Sequence, residues 1–474
     1  MNLLFFVFKF LFIPKICSNF AAQSFNTLKT MARTTFSSKF GVLLAAAGSA
    51  VGLGSIWKFP YIVGANGGGA FILLYLVCSF VLGLPLVMNE FLIGQKSGKS
   101  VYGAYRALRG NGRWQWLAWM NVITLVLIMS FYGVVTGWCI NYLVEALTNT
   151  FSGMDAEALS AHFGEFENHS LKMILYAVAA VIMTAAVLWF DVNKGIERLT
   201  KVLMPLLFVI MVIMAVHILV TCPSNSGYTF LFEPDFSKIT PQVFLEALGL
   251  SFFTLSVGVG VLITYGSYMP EGQKVGATSI QMIALTIVVA LLAGMIIFPA
   301  VFAYGFSPAE GPQLIFVTLP MVFQHMWNPV LTSSAFFFLV LIAALTSTIS
   351  MMEVPVAFLC EATADKKRPL NRHQSVLIVS AVIIVMSVLC VLSMTGAVSG
   401  LKVLGRDLFD LFNSLTSDIL MPLGALAISV FTGWFAPKAL PEGSSRAMKV
   451  YRILLRWVLP IAILIVFLNM LHIF

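Results

Sequence analysis

The chain is written mostly in long apolar runs separated by short polar stretches. A helix crossing a bilayer needs about 20 predominantly apolar residues. Eleven stretches qualify: about 41–62, 70–94, 116–147, 171–190, 201–220, 241–269, 277–305, 331–359, 375–397, 407–434 and 451–473. None shows the strict alternation of a membrane β-strand, so the pattern predicts helices and not a barrel. The first and sixth runs are interrupted in the same way, by Val51-Gly52-Leu53-Gly54 and by Val257-Gly258-Val259-Gly260. Glycine inside a helix costs roughly 0.5–1 kcal/mol relative to alanine. Backbone freed at membrane depth is tolerated only where protein or a cavity receives it. Matching interruptions in two halves of a membrane chain point to a binding site between them.

The interruptions divide the chain into corresponding units. Spans one to five and six to ten pair up, and an odd number of crossings inverts the second unit relative to the first. The expected boundaries are 1–32 for an N-terminal extension, 33–220 and 221–434 for the repeats, and 435–474 for an added eleventh span. Asn2–Ile13 is apolar but too short to span, and Met31 is the expected start, so residues 1–30 are expected to be dispensable or disordered.

Composition narrows the class. The 474 residues are 59% hydrophobic and 10% charged, with a mean hydropathy of +0.94, whereas a soluble globular chain carries about 25% charge. A net charge of +8 would suggest nucleic acid in a soluble protein; here its distribution is a topology signal. Lys96, Lys99, Arg106, Arg109 and Arg113 crowd one loop, and Asp155, Glu157, Glu165 and Glu167 the next. Alternation of basic with acidic or neutral loops continues, which places the N-terminus in the cytoplasm and, after eleven spans, the C-terminus outside. The expected location is the cell (inner) membrane, with the lipid bilayer as partner and no nucleic acid. The cysteines and histidines show no metal-binding or disulfide spacing.

Candidate chemistry gathers at the breaks. Ser49 and Ser55 flank the first pair of glycines, and Lys58 follows within a turn. Ser251, Thr254 and Ser256 precede the second pair, and Leu345–Ser350 is a third hydroxyl cluster. Small residues alone are accounted for by close helix packing, and most membrane hydroxyls bond the preceding turn. Clusters beside broken helices add something else: freed amides suit a carboxylate, and oxygen-only ligands suit a hard cation. Glu90 and Glu353 lie within spans and must each meet freed backbone or a polar partner. No HExxH, nucleophile–base pair or filter motif supports an enzyme or a channel. A transporter and an amino-acid sensor without net transport remain.

The runs GSAVGLGSIWKFPYIVGANGGGAF (48–71), FFTLSVGVGVLITYGSY (252–268) and LTSTIS (345–350) resemble the neurotransmitter:sodium symporters in their bacterial eleven-span form, over essentially 33–474. The resemblance implies an all-α polytopic membrane protein with a LeuT-type 5+5 inverted repeat, discontinuous helices 1 and 6 and an eleventh helix; that fold is itself a standard example of inverted repeats. It implies a sodium-coupled symporter importing an amino acid by alternating access. The second sodium site would use backbone oxygens of Gly48, Val51 and Ala343 with hydroxyls of Thr346 and Ser347. The first would use the Ala50 carbonyl, Thr254, Ser55, Thr286 and the substrate carboxylate. That carboxylate would meet the Leu53 and Gly54 amides and the Tyr132 hydroxyl, and the Phe253 and Ser256 carbonyls would receive the amino group. Ile128, Ser256, Val259, Ser347 and Met351 would surround the side chain under Phe253. Lys58 and Asp410 would close the outside, and Arg33 and Glu361 the inside, with Tyr268 and Glu353 nearby.

Some positions depart from the family pattern. Ser55 and Thr286 stand where the family has an asparagine and an Asn or Asp, which weakens the first sodium site. Leu250 and Ala290 stand where chloride-dependent relatives have Gln and Ser, which disfavours chloride. Lys58 replaces an arginine, giving a point charge in place of a fork. Gly52 replaces the aspartate of amine-transporting relatives, which favours an amino acid, and the apolar lining favours an apolar or aromatic one. Ion stoichiometry and homo-oligomerisation stay open.

Overall fold

The structure, a computed structural model, describes residues 35–471 apart from 111, 223–224, 304, 306–313, 327, 399–400, 404 and 441–444. The expected extension 1–32 and the gate residue Arg33 lie outside the described residues. Among those described, nine helices are long and apolar enough to cross a membrane: α2 (Gly69–Ser97), α3 (Gly112–Leu147), α4 (Ser170–Leu188), α5 (Asn193–Thr221), α7 (Val275–Ala303), α8 (Pro329–Thr363), α9 (Arg372–Met394), α10 (Leu408–Phe435) and α11 (Arg446–Met470). The first span is a bent pair, α1a (Lys39–Ala50) and α1b (Gly54–Ala65), with 52° between the halves. The sixth is broken into α6a (Pro241–Thr254) and α6b (Val261–Gly266).

Local sequence sets the ends. Ser38 caps α1a by accepting from the Gly41 amide at 3.0 Å. Thr240 caps α6a, with Pro241 in its first turn, where a missing N–H costs nothing. Asn371 and Gln374 form a capping box that opens α9. Four short helices occupy stretches read from the sequence as loops: Val101–Arg109, Ala156–Asn168, Ser226–Phe232 and Leu314–Gln324. Ala156–Asn168 buries Leu159, Phe163 and Phe166 along one side; an apolar stripe this short is invisible to a search for spanning runs.

Burial sorts the helices into a centre and a rim. The apolar windows of α3 and α8 are 83% and 78% buried, against 33% for α4 and α5 and 28% for α11. α3 packs along α8, α1a packs against α5, α7 and α8, and α6b against α2. Both breaks therefore lie in the protein interior, where freed backbone has partners.

Candidate functional site

α1a ends because Val51 leaves the helical region (φ −84°, ψ 80°), and the chain resumes at Gly54 in a π-helical turn, Gly54–Lys58. The Leu53 amide faces the Tyr132 hydroxyl of α3 and donates to it at 3.1 Å. A Cβ on Gly52 would collide with Ser347 Oγ and Tyr132 Oη, so the backbone there sits directly against α3 and α8.

The break in α6 has three residues with positive φ: Ser256 at 53°, Gly258 at 88° and Gly260 at 79°. Serine seldom adopts this region, and such strain persists only where surroundings impose it. They do so here. Glu90 of α2 accepts from the Gly258 amide at 2.6 Å. Asn121 of α3 donates to the Gly258 carbonyl at 2.9 Å and accepts from the Tyr105 hydroxyl at 3.0 Å. Glu90 thus meets freed backbone, as its depth in the span required.

Between the breaks lies a cavity of about 60 Å³. Ala50, Gly54, Ile128, Tyr132, Phe253, Ser256, Val259, Ser347 and Met351 all line it, together with Thr254. Leu53 contributes through its bond to Tyr132. Ser49, singled out at the first break but given no role, lines it too, and the sequence reading missed Leu125, Phe131 and Met421. Leu125 and Phe131 sit on the same helix as Ile128 and Tyr132, so helical spacing could have found them. Ser49 is buried and its hydroxyl has no hydrogen-bond partner among the described residues.

The hydroxyl cluster of α8 reaches α1a. Ser347 Oγ lies 3.4 Å from the Gly48 carbonyl and 3.3 Å from that of Ser49. Thr346 donates to carbonyls of its own helix, Ile342 at 3.2 Å or Ala343 at 3.1 Å. A Cβ on Gly48 would touch Thr346, and Val51, Ala343, Thr346 and Ser347 are all buried. Of the positions assigned to the second sodium site, Gly48, Ala343, Thr346 and Ser347 are thereby brought together, and Val51 ends the same helix as Gly48.

The second cluster is different. Ser55 turns back and donates to the Ala50 carbonyl at 3.2 Å. Thr254 Oγ1 pairs with the Tyr75 hydroxyl of α2 at 2.9 Å and with the Leu250 carbonyl at 3.0 Å. Thr286 donates to the Met282 carbonyl of its own helix at 2.9 Å. α7 packs on the first turn of α1b, but its hydroxyl is satisfied along α7.

Charged and aromatic groups gather at two places beyond the cavity. Lys58 Nζ lies 4.0 Å from the centre of the Phe253 ring, a cation–π contact above the cavity roof. Asp418 is the carboxylate whose charge acts on Lys58, and no ion pair joins Lys58 to the expected partner Asp410 among the described residues. Asp410 lies at the exposed start of α10 beside Asp407 and Arg406, where its amide is capped by Asp407. Asp418 lies two turns deeper, in the π-helical turn Leu415–Leu420. At the other, Phe36 packs edge-on against Tyr265 and Tyr268, and its amide donates to the Tyr268 carbonyl. The Tyr268 hydroxyl donates to Glu353 at 2.8 Å. Arg372, unanticipated, grips the same buried carboxylate with two bonds of 3.0 and 2.8 Å. In the sequence it was one of several basic loop residues with no sign of this role. Glu361 accepts from the Ser100 and Gly103 amides, capping Val101–Arg109.

Two broken helices enclosing a buried cavity, within a bundle of crossing helices, define the class: a polytopic membrane transporter of the inverted-repeat type. The chain belongs to the sodium:neurotransmitter symporter family, whose sequence profile matches residues 33–159 and 156–474. It is 36% identical over 446 residues to a sodium-dependent transporter of Bacillus subtilis, covering 92% of this chain and 98% of that one. It is 33% identical over 458 residues to a sodium-dependent transporter of Haemophilus influenzae, covering 94% and 99%. The crystal structure of MhsT in complex with L-phenylalanine superposes with a TM-score of 0.83 at 37% identity, covering 92% of this chain and all of that one. The LeuT-type all-α fold expected from the sequence is therefore the fold of the chain.

Proposed function

We propose that the chain imports an apolar or aromatic amino acid together with sodium by alternating access. One observation carries this reading: position 52 has no room for a side chain between Ser347 and Tyr132. The first break carries no carboxylate of its own, so a negative charge received by the Leu53 amide and the Tyr132 hydroxyl arrives with the substrate. The unpartnered Ser49 hydroxyl adds a polar contact at the same end. Ile128, Val259 and Met351 make the other end apolar. That MhsT was crystallised with L-phenylalanine agrees with this choice.

Sodium binds between Gly48, Val51, Ala343, Thr346 and Ser347 and couples to the substrate through α1a, which both touch. The first site does not hold an ion of its own, and chloride takes no part, since Leu250 and Ala290 offer no anion ligand. The Lys58–Asp418 side opens outward, and the Glu353–Arg372–Tyr268 cluster opens inward. The chain catalyses no covalent step. The basic loops face the cytoplasm. Uptake of labelled amino acids into proteoliposomes, with and without a sodium gradient, tests the reading. Sodium-driven accumulation of leucine, phenylalanine or tryptophan is expected. Sodium-dependent binding with no accumulation would establish a sensor instead.

A further inference from the structure

α10 gives the cavity one side chain, Met421, and the surroundings of that residue are unusually constrained. Met421 follows the π-helical turn Leu415–Leu420 and precedes Pro422. Its carbonyl and the Ala425 amide press on the break of α6, where a Cβ on Gly258 would collide with both. The contact is reciprocal, because a Cβ on Gly424 would collide with the Gly258 carbonyl. Gly258 is itself fixed by Glu90 and Asn121. The backbone of α10 is thus seated against the substrate-binding break with no slack, and at Met421 only the side chain can adjust.

The cavity, at about 60 Å³, is far below the roughly 300–1,000 Å³ usual for ligand pockets. A bulky side chain entering it must displace wall side chains. Ile128 and Val259 are branched and stiff at χ1 or χ2. Methionine has three soft torsions and refits irregular space. Met351 on α8 and Met421 on α10 are the two methionines in this wall. Met351 shares its helix with the cation cluster Thr346–Ser347, so its backbone is tied to ion binding. Met421 has no such second duty.

We propose that Met421 is a specificity-determining residue: its thioether forms the adjustable wall that sets the largest substrate side chain admitted. This rests on the amino-acid reading above. The test is sodium-dependent binding of leucine, phenylalanine and tryptophan to the full-length protein and to the Met421→Ala and Met421→Phe variants. Truncation to alanine should raise the tryptophan-to-leucine affinity ratio about tenfold or more, and phenylalanine should lower it by a similar factor. A sodium-induced rise in thermal midpoint reports folding of each variant, and if one fails to fold the other carries the test. Ratios within about twofold of wild type in a folded variant would overturn the proposal. Failure of the wild type to bind any amino acid in sodium would instead overturn the amino-acid reading, and this inference with it.

Discussion

Two hydroxyl clusters lie beside the helix breaks, equally buried and built from the same residue types, yet they are arranged differently. At the α1a–α8 cluster, Ser347 crosses between helices to the Gly48 and Ser49 carbonyls. Each hydroxyl donates one proton and keeps acceptor lone pairs, so Ser347 brings carbonyls of α1a beside the hydroxyls of α8, although Thr346 itself bonds back along α8. At the α1b–α6a–α7 cluster, Ser55 bonds the Ala50 carbonyl five residues back and Thr286 bonds Met282 four residues back. Thr254 is engaged by Tyr75. Ser55 and Thr286 are satisfied within their own segments, and among the described residues no hydrogen bond joins the three hydroxyls to one another. A hydroxyl has the polarity of an amide or a carboxylate without its reach, and at a site between three helices reach decides. We therefore expect one cluster to bind sodium and the other not to.

The largest effect should follow from removing the hydroxyls of the first cluster. Thr346→Ala combined with Ser347→Ala should raise the sodium concentration for half-maximal substrate binding about 100-fold or more, since even outer-shell changes cost 10–100-fold at ion sites. Titrating sodium against bound labelled amino acid measures it. An unchanged midpoint would place the ion elsewhere.

The reverse experiment sharpens the contrast. Ser55→Asn together with Thr286→Asp lengthens two ligands of the other cluster and supplies a charge. The sodium Hill coefficient should rise from about one towards two. A second coupled charge adds about 2.3 kcal/mol per 100 mV, roughly 40-fold in limiting accumulation at a tenfold per 1.4 kcal/mol. Accumulation ratios at imposed membrane potentials in proteoliposomes read this directly. A Hill coefficient near two in the wild type would break the comparison before any mutation is made.

A smaller effect is expected at the substrate end. Tyr132→Phe deletes the hydroxyl beside the Leu53 amide, a single hydrogen bond worth about 0.5–1.5 kcal/mol net. Substrate affinity should fall up to about tenfold while the sodium titration at saturating substrate stays in place. Isothermal titration with the two ligands in turn separates these, and a shift in sodium affinity of the same size would assign Tyr132 to the ion.

Much of this arrangement was legible in the chain because glycine pairs at membrane depth leave few alternatives. Gly52, Gly54, Gly258 and Gly260 marked both breaks, and apolar length alone marked the spans. What stayed hidden was set by partners remote in sequence. Tyr75, Asn121 and Arg372 act through carbonyls, hydroxyls and a carboxylate on other helices, and nothing in their own neighbourhoods announces it. Asp410 came from the family resemblance, and Asp418, two turns further along span ten, was not considered. Only the depth of Lys58, folded over Phe253, selects the deeper acid. The short helices in the loops escaped for lack of length or of apolar residues: Ala156–Asn168 buries only Leu159, Phe163 and Phe166, and Leu314–Gln324, though apolar, is too short to read as a span.

The smallest expected effect is the most discriminating. Ser55→Ala removes the bond to the Ala50 carbonyl, whose oxygen sits in the interior. If the Ser55 hydroxyl only satisfies that carbonyl, its loss costs about 1 kcal/mol of stability and lowers the thermal midpoint by a few degrees at most. Sodium half-saturation should then stay within about twofold, because the hydroxyl makes no contact with the ion. If the hydroxyl is a ligand, the same change should weaken sodium by about tenfold or more and leave the ion-free thermal midpoint nearly where it was. The two outcomes move opposite observables. One variant, measured by thermal melting without sodium and by sodium titration of binding, therefore decides whether the second cluster is a packing device or a site.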